Sequence, residues 1–357
     1  MVIKRDGEQE REPESLSEVR ERARGRLKGI CGVYKVCDGR DDRLCQGQKY
    51  GDPIGLGGVG KGLSFRANVE ALDLVRLRTR LISDHREPDM NIGIYGAKST
   101  LPVMPSSVSG VKASMGGTVT EMEFAVSVLS GAADTGVLGW IGNTSDEGEE
   151  LTGIKAVERV GRGILIFKPQ RNNRLLELIS MAENAGAVAV GVDLDGVGST
   201  NWERHGRPVF RKSPGEIEEL AGSTDLPFIV KGIMSVDDAL LAVDSGVQGI
   251  DVSNHGGRAL DCTRGVADVL PEIVEAVKGR VTVTAGGGVR TGFDVIKMLA
   301  LGADGVLIGR DIVRAAIGGG AKGVRLHFEY LRSEIRRGMI LTDCSSVSEI
   351  GPGILER

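Results

Sequence analysis

An apolar run past the middle of the chain ends in Ser253-Asn254-His255-Gly256-Gly257-Arg258. His255 is one of four histidines, and imidazole is the side chain whose ordinary pKa lies nearest neutrality, so it takes up a proton near pH 7. Arg258 offers a planar fork of donors that matches a carboxylate. The glycines between them permit a tight turn without Cβ clashes. One reading is a base beside a carboxylate clamp. The other is a histidine satisfied by a backbone carbonyl and an arginine in a surface ion pair, and the surrounding residues decide between them.

Two further groups carry chemistry. Lys231-Gly232 directly follows the apolar run Pro227–Val230, where an ammonium is costly unless it faces an anion or a polar cavity. Ala285-Gly286-Gly287-Gly288-Val289-Arg290-Thr291-Gly292 and Ile308-Gly309-Arg310 combine bare backbone N–H groups, the start of a helix and two guanidinium groups. That combination suits a phosphate. Structural turns would account for the glycines but not for both arginines.

The elements that position these groups recur regularly. Apolar runs fall at Leu101–Met104, Gly136–Ile141, Gly163–Phe167, Ala187–Val192, Pro227–Val230, Gly249–Val252, Val281–Thr284 and Gly305–Ile308. Helical spacing marks Glu121–Ser130, Asn173–Ala185, Pro214–Leu220, Ser235–Ser245, Ala267–Val277 and Gly292–Leu301 between them. Continuous rather than alternating apolar strands belong to a parallel sheet covered by helices, and eight such units predict an α/β chain folded as a (β/α)8 TIM barrel. Active sites of such barrels are built at the C-terminal ends of the strands. The residues found there are Pro105-Ser106-Ser107, Lys168-Pro169-Gln170, Asp193, Lys231-Gly232, and Ser253 with His255 to Arg258. Residues 91–357 are therefore read as the barrel, with a helix over Gly318–Leu341 packed outside it. Residues 1–90 are read as a helical and cysteine-containing extension with helices over Glu14–Lys28 and Ser64–Leu81.

The net charge of −4 over 357 residues argues against nucleic acid as a partner. The 53 glycines sit at the ends of apolar runs, where turns belong, so the chain is not compositionally disordered. It has no stretch of about 18 apolar residues and no apolar signal-peptide core. A soluble, cytoplasmic protein with no membrane contact is expected. Five cysteines, unevenly placed, do not form a disulfide framework. Cys31, Cys37 and Cys45 lie close enough to be three legs of a metal or iron–sulfur site, but the spacing is not C-x-x-C and a fourth ligand is not evident, so ordinary thiols are the leading reading. The glycine-rich GLGGVGKG that follows is read as a loop or lid.

The segments VSNHGGR…LD, LPEI and GGVRTGFDVIKMLALGADGVLIGR, with Lys231-Gly232 ahead of them, closely resemble the FMN-dependent α-hydroxy acid dehydrogenase and oxidase family, which includes glycolate oxidase and lactate oxidase. The resemblance is specific from Pro227 to Gly309, extends over Ser64 to Asp193 and is absent before about residue 60. It implies an FMN cofactor and oxidation of a lactate- or glycolate-like 2-hydroxy acid to a 2-oxo acid, with two electrons passing to flavin N5 and then to an acceptor the sequence does not name. By position it makes His255 the catalytic base, Arg258 the carboxylate grip, Asp193 the partner of the histidine and Lys231 the cation beside the flavin. Pro105, Ser106, Ser107, Lys168 and Ser253 become flavin contacts, and Gly287, Gly288, Arg290, Gly309 and Arg310 the phosphate site. A homo-oligomer, tetramer or octamer, is also implied.

The chain departs from the family pattern mainly on the substrate side. Phe167-Lys168-Pro169-Gln170 replaces Phe-Gln-Leu-Tyr, which removes a substrate tyrosine and places a cation near the flavin, favouring its reduced form. Gly286 replaces an aspartate that binds the ribityl chain. The second carboxylate-binding arginine has no counterpart in Leu194–Thr200; Arg204, Arg207 or Arg211 would serve only if the loop folds back. Tyr34 and Tyr50 are the candidates for the usual N-terminal tyrosine. Two rival readings keep the flavin barrel: chemistry like that of isopentenyl diphosphate isomerase, and a non-catalytic flavin-binding protein.

Overall fold

The runs of Val, Ile and Leu become eight short parallel strands: β1 (Val103–Pro105), β2 (Trp140–Gly142), β3 (Ile164–Phe167), β4 (Ala189–Asp193), β5 (Phe228–Ile233), β6 (Gly249–Val252), β7 (Thr282–Ala285) and β8 (Gly305–Ile308). They lie in one sheet in the order β1-β8-β7-β6-β5-β4-β3-β2. Its two ends, β1 and β2, are neighbours without a ladder of their own, so the ring is a nearly closed TIM barrel. Nearly every strand residue is buried, because helices cover the outside while strand side chains fill the inside. This is why the apolar pattern is continuous. The computed structural model describes residues 2–3, 9–27, 57–84 and 86–356. Cys31, Cys37, Cys45, Tyr34 and Tyr50 lie outside the described residues.

The floor of the barrel is a hairpin, Ile92–Ile94 against Ala97–Ser99, that the strand pattern does not foretell. The ring of Tyr95, at its turn, lies against Gly249 and beside Trp140, 5.9 Å between centroids. It plugs the end opposite the site. Helix α1 (Leu16–Arg26) begins at the Ser15 cap and packs on α12 (Arg310–Thr342). The expected helix over Gly318–Leu341 is the second part of α12, which starts directly after β8 and breaks at Gly320, where φ is 58°. A Cβ on Gly318 would sit 2.1 Å from the Val19 carbonyl oxygen, so glycines in this stretch admit α1.

Helix α2 (Leu63–Leu74) is shorter than the Ser64–Leu81 expectation. The chain turns extended at Val75, and Arg78 and Arg80 donate backbone hydrogen bonds to Ile354 and Leu341. Residues after 74 thus tie the start of the barrel to the C-terminus instead of continuing the helix. The helix over Thr152–Val160, between β2 and β3, also goes beyond the expectation. It buries Ile154, Ala156 and Val157.

Candidate active site

A cavity of about 240 Å3 opens at the C-terminal ends of the strands. Six of the eight strand ends, all but those of β2 and β4, bring expected residues to the wall: Ser106 and Ser107 after β1, Lys168 after β3, Lys231 from β5, and Ser253, His255 and Arg258 after β6. Gly287, Gly288 and Arg290 follow from β7, and Gly309 and Arg310 from β8. Pro105 is the buried last residue of β1, and Asp193 lies buried below the wall, 4% exposed.

The turn carrying His255 is held both from within and by its neighbours. The carboxamides of Asn254 and Asn68 on α2 bond each other at 2.8 and 3.1 Å, and Gly257 N–H donates to the same Asn254 oxygen at 3.0 Å. Three consecutive residues take left-handed backbone: His255 (φ 57°), Gly256 (φ 62°) and Gly257 (φ 77°). The glycines are required for contact as well as for φ. A Cβ on Gly256 would lie 2.5 Å from Arg310 Nη1, and one on Gly257 would lie 2.4 Å from the backbone nitrogen of Phe65. Gly257→Ala is therefore expected to cost about 3 kcal/mol or more, from the left-handed conformation and the overlap with fixed backbone. Denaturant unfolding of the variant measures it.

Below the wall runs a row of charges. Asp193, Lys231, Asp251 and Thr284 are in register across β4, β5, β6 and β7. Lys231 Nζ donates to Asp193 Oδ1 at 3.1 Å, and Lys168 Nζ donates to the other Asp193 oxygen. His255 Nδ1 is 2.9 Å from Asp195 Oδ1 and 3.5 Å from Asp193 Oδ2. Asp195 is therefore the nearer partner of the histidine, and Asp193, assigned that role by resemblance, mainly anchors the two lysines. The carboxylate accepts, so Nδ1 carries the hydrogen and Nε2 keeps its lone pair. Glycines admit these side chains: a Cβ on Gly232 would collide with Asp195 at 2.8 Å, and one on Gly196 with Lys168 Cδ at 2.7 Å.

The electrostatics follow from this packing. Burial pushes Asp193 up, but Lys168, Lys231 and His255 outweigh it and hold the carboxyl well below its usual range. Burial would lower Lys231, yet Asp193, Asp195 and Asp251 around it raise it. His255 is lowered from 6.5, first by burial and then by Lys168, against the pull of Asp193 and Asp195. The shift favours the neutral imidazole at pH 7. Lys168, expected to add a positive charge near the flavin, is paired with Asp193.

Several expectations on the substrate side find no support. Arg204, Arg207 and Arg211 do not line the cavity. The loop does fold back, but through its backbone: Phe210 N–H donates to the Pro169 carbonyl at 2.7 Å, and the Phe210 ring packs under Arg171. Arg207 faces Glu150 at 3.5 Å. Gln170, at the missing tyrosine's position, is buried off the cavity wall. In their place the wall has Ser114, which accepts from Arg258 Nη2 at 3.3 Å, and Asn201 and Trp202 from the short helix α7 (Thr200–Arg204). Asn143, following β2, is also on the wall. The strand-end rule that selected the other residues points to it equally.

The sequence model of the FMN-dependent dehydrogenase family matches residues 55–215 and 211–357. The chain belongs to that family. The 4-hydroxymandelate oxidase of Amycolatopsis orientalis is 33% identical over 329 residues, 82% of this chain and 89% of that protein. A peroxisomal (S)-2-hydroxyacid oxidase of Arabidopsis thaliana, GLO3, is 32% identical over 82% of this chain and 88% of its own length. Among solved structures, mandelate oxidase with benzoyl-formic acid superposes with a TM-score of 0.75 at 31% identity, covering 96% of this chain and 97% of that one.

The residues of this FMN-dependent dehydrogenase family member fit the cofactor. Ser107 Oγ and Asn143 Nδ2 are buried polar atoms of cavity-wall residues with no hydrogen-bond partner among the described residues. Leaving such groups unpaired costs about 1–3 kcal/mol each, and the polar edge of an isoalloxazine would satisfy them. At the opposite end, the carboxylate of Asp294 accepts from the backbone N–H groups of Arg290 and Thr291 at 3.1 and 3.0 Å, closing the first turn of α11 (Gly292–Ala300). Phosphate contacts therefore fall to the glycine loop before it and to the two guanidinium groups. Arg310 is aimed by its stack on Phe65, 4.5 Å to the centroid, and by its bond to the Gly256 carbonyl at 2.8 Å. Gly286 supplies no ribityl carboxylate, and on this backbone a Cβ there would lie 2.9 Å from the Leu307 carbonyl oxygen.

Proposed function

We infer that the protein is an FMN-dependent oxidoreductase acting on the CH–OH group of a 2-hydroxy acid, which it converts to the 2-oxo acid. The observation that carries this reading is the pairing of His255 with Asp195 through Nδ1, which leaves Nε2 as an acceptor in the cavity that Arg258 also lines. When bound, FMN supplies the two-electron acceptor. Arg258 grips the substrate carboxylate, its fork steadied by Ser114. His255 takes a proton from the substrate at Nε2 while Asp195 fixes the ring and favours the imidazolium that forms. Lys231, held by Asp193, would provide positive charge to the bound flavin. The side chains of Ser114, Asn201 and Trp202 shape the rest of the substrate space, and a small acid of the lactate or glycolate class fits a cavity shared with the cofactor. We also propose a cytoplasmic homo-oligomer; light scattering on the purified protein measures its state.

The test is anaerobic mixing of the FMN-loaded protein with a panel of short, long and aromatic 2-hydroxy acids. Bleaching of the flavin absorbance by at least one of them, with release of the matching 2-oxo acid, is expected. Reduction by dithionite alone, with every hydroxy acid inert, would instead make this a flavin-binding protein without turnover.

A further inference from the structure

The reaction just described leaves one buried ionisable group without a task. Asp251 lies in β6, facing Lys231 across the ladder, and is 1% exposed. Its Oδ1 accepts from Thr284 Oγ1 at 3.0 Å. Its Oδ2 has no hydrogen-bond partner among the described residues and stands 4.0 Å from Lys231 Nζ, too far for a bond. Lys231 therefore sits between two carboxylates and is bonded to one. A buried carboxylate with a bare oxygen is costly as an anion and comfortable as an acid.

The charges packed around Asp251 sharpen the point. From above it faces Lys231, Asp193 and Asp195; from the floor it faces Tyr95, with Asp304 beyond. Burial raises its carboxyl, Lys231 and Thr284 oppose this, and the two other aspartates add to the rise, to about 7. Lys168 and Lys231 balance Asp193 and Asp195. Once His255 has returned its proton to solvent, a further negative charge arriving above Lys231 is offset within this network when Asp251 becomes neutral.

We propose that Asp251 binds a proton when the flavin above Lys231 is reduced. The balance is as follows. The hydroxy acid loses two electrons and two protons; the flavin takes both electrons and one proton; His255 receives the other proton and returns it to solvent. Asp251, ionised beforehand, takes one proton from solvent and stores the charge compensation under the ring. This rests on the reading of Lys231 as the cation beside the flavin.

Spectroelectrochemical titration of the FMN-loaded protein from about pH 6 to about pH 9 tests it. Above neutral pH the wild type is expected to take up two protons per two electrons, falling to one below, where Asp251 is already protonated. Asp251→Asn, nearly isosteric, is expected to take up one throughout. The absorbance of the reduced flavin, anionic in both proteins, shows that the extra proton is not on its N1. A reduced-minus-oxidised infrared spectrum of the wild type should gain a protonated-carboxyl band, a readout that does not depend on the variant folding. One proton at every pH in the wild type, or the same count in Asp251→Asn, overturns the proposal. Lys231→Met separates the underlying reading: a lower flavin potential supports it, and an unchanged one means that Lys231 is not beside the flavin, so the reading fails by itself.

Discussion

Replacing His255 by asparagine is expected to lower the rate of flavin reduction by the best 2-hydroxy acid by about 10²- to 10⁴-fold, the usual contribution of a positioned general base. Asparagine is preferable to alanine because it tolerates the left-handed backbone at this residue. The phosphate end of the site is untouched, so FMN should remain bound. Stopped-flow absorbance under anaerobic conditions reads the rate, and a variant within a few-fold of wild type would remove His255 from the mechanism. The wild-type pH profile has a defined sign. The base works when neutral, and burial with Lys168 lowers its pKa from 6.5. kcat/KM should therefore rise with pH through a value below 6.5 and be level at neutrality.

Asp195→Asn is expected to reduce kcat by about 10²-fold or more, since an amide neither holds the Nδ1–H tautomer nor favours the imidazolium. It also removes a charge that raises the histidine pKa, so the acid limb should move further down in pH. Lys168→Met should move the same limb upward, because it removes a cation that lowers that pKa. Asp193→Asn makes the contrasting control. It strips the partner from the buried Lys231 ammonium and the partly buried Lys168 one, and breaking a buried pair this way costs about 3–5 kcal/mol. Its main effect should be on unfolding midpoint and FMN content, and because Asp193 also raises the histidine pKa the acid limb should move down here too. If Asp193→Asn instead reproduces the kcat loss with folding and FMN content intact while Asp195→Asn is silent, the roles given to the two aspartates are reversed.

Much of the site was legible because barrel geometry converts a one-dimensional pattern into a ring. Once eight apolar runs are recognised as parallel strands, the residues just after them must converge, and Ser106, Lys168, Lys231, His255 and Arg290 all reach the cavity wall. Asn143 follows from the same rule applied to β2. Asp195 is different in kind. It lies two residues beyond the end of β4, in the tight turn Leu194–Gly198, and reaches His255 only because that turn swings back and Gly232 makes room. Neither spacing nor residue type announces a contact that depends on a turn and on a missing Cβ on another strand. Asp251 was hidden for the opposite reason: a lone acid inside an apolar strand reads as an interruption until its neighbours in the ladder are known. The limit of α2 was set by backbone bonds to the C-terminal segment, which local periodicity does not contain.

The reciprocal bond between Asn68 and Asn254 joins residues 186 positions apart, and Ser64 reaches Thr263 over 199. Bringing such distant points together carries a loop-closure entropy that must be met before the contact gives anything back. The turn that presents His255 is therefore expected to acquire its shape late in folding, after β1 to β6 have ordered the chain between. Substitutions at Asn68 or Asn254 should speed unfolding while leaving the folding rate nearly unchanged. The turn that presents His255 is, in kinetic terms, expected to be the clasp that fastens after the barrel has formed.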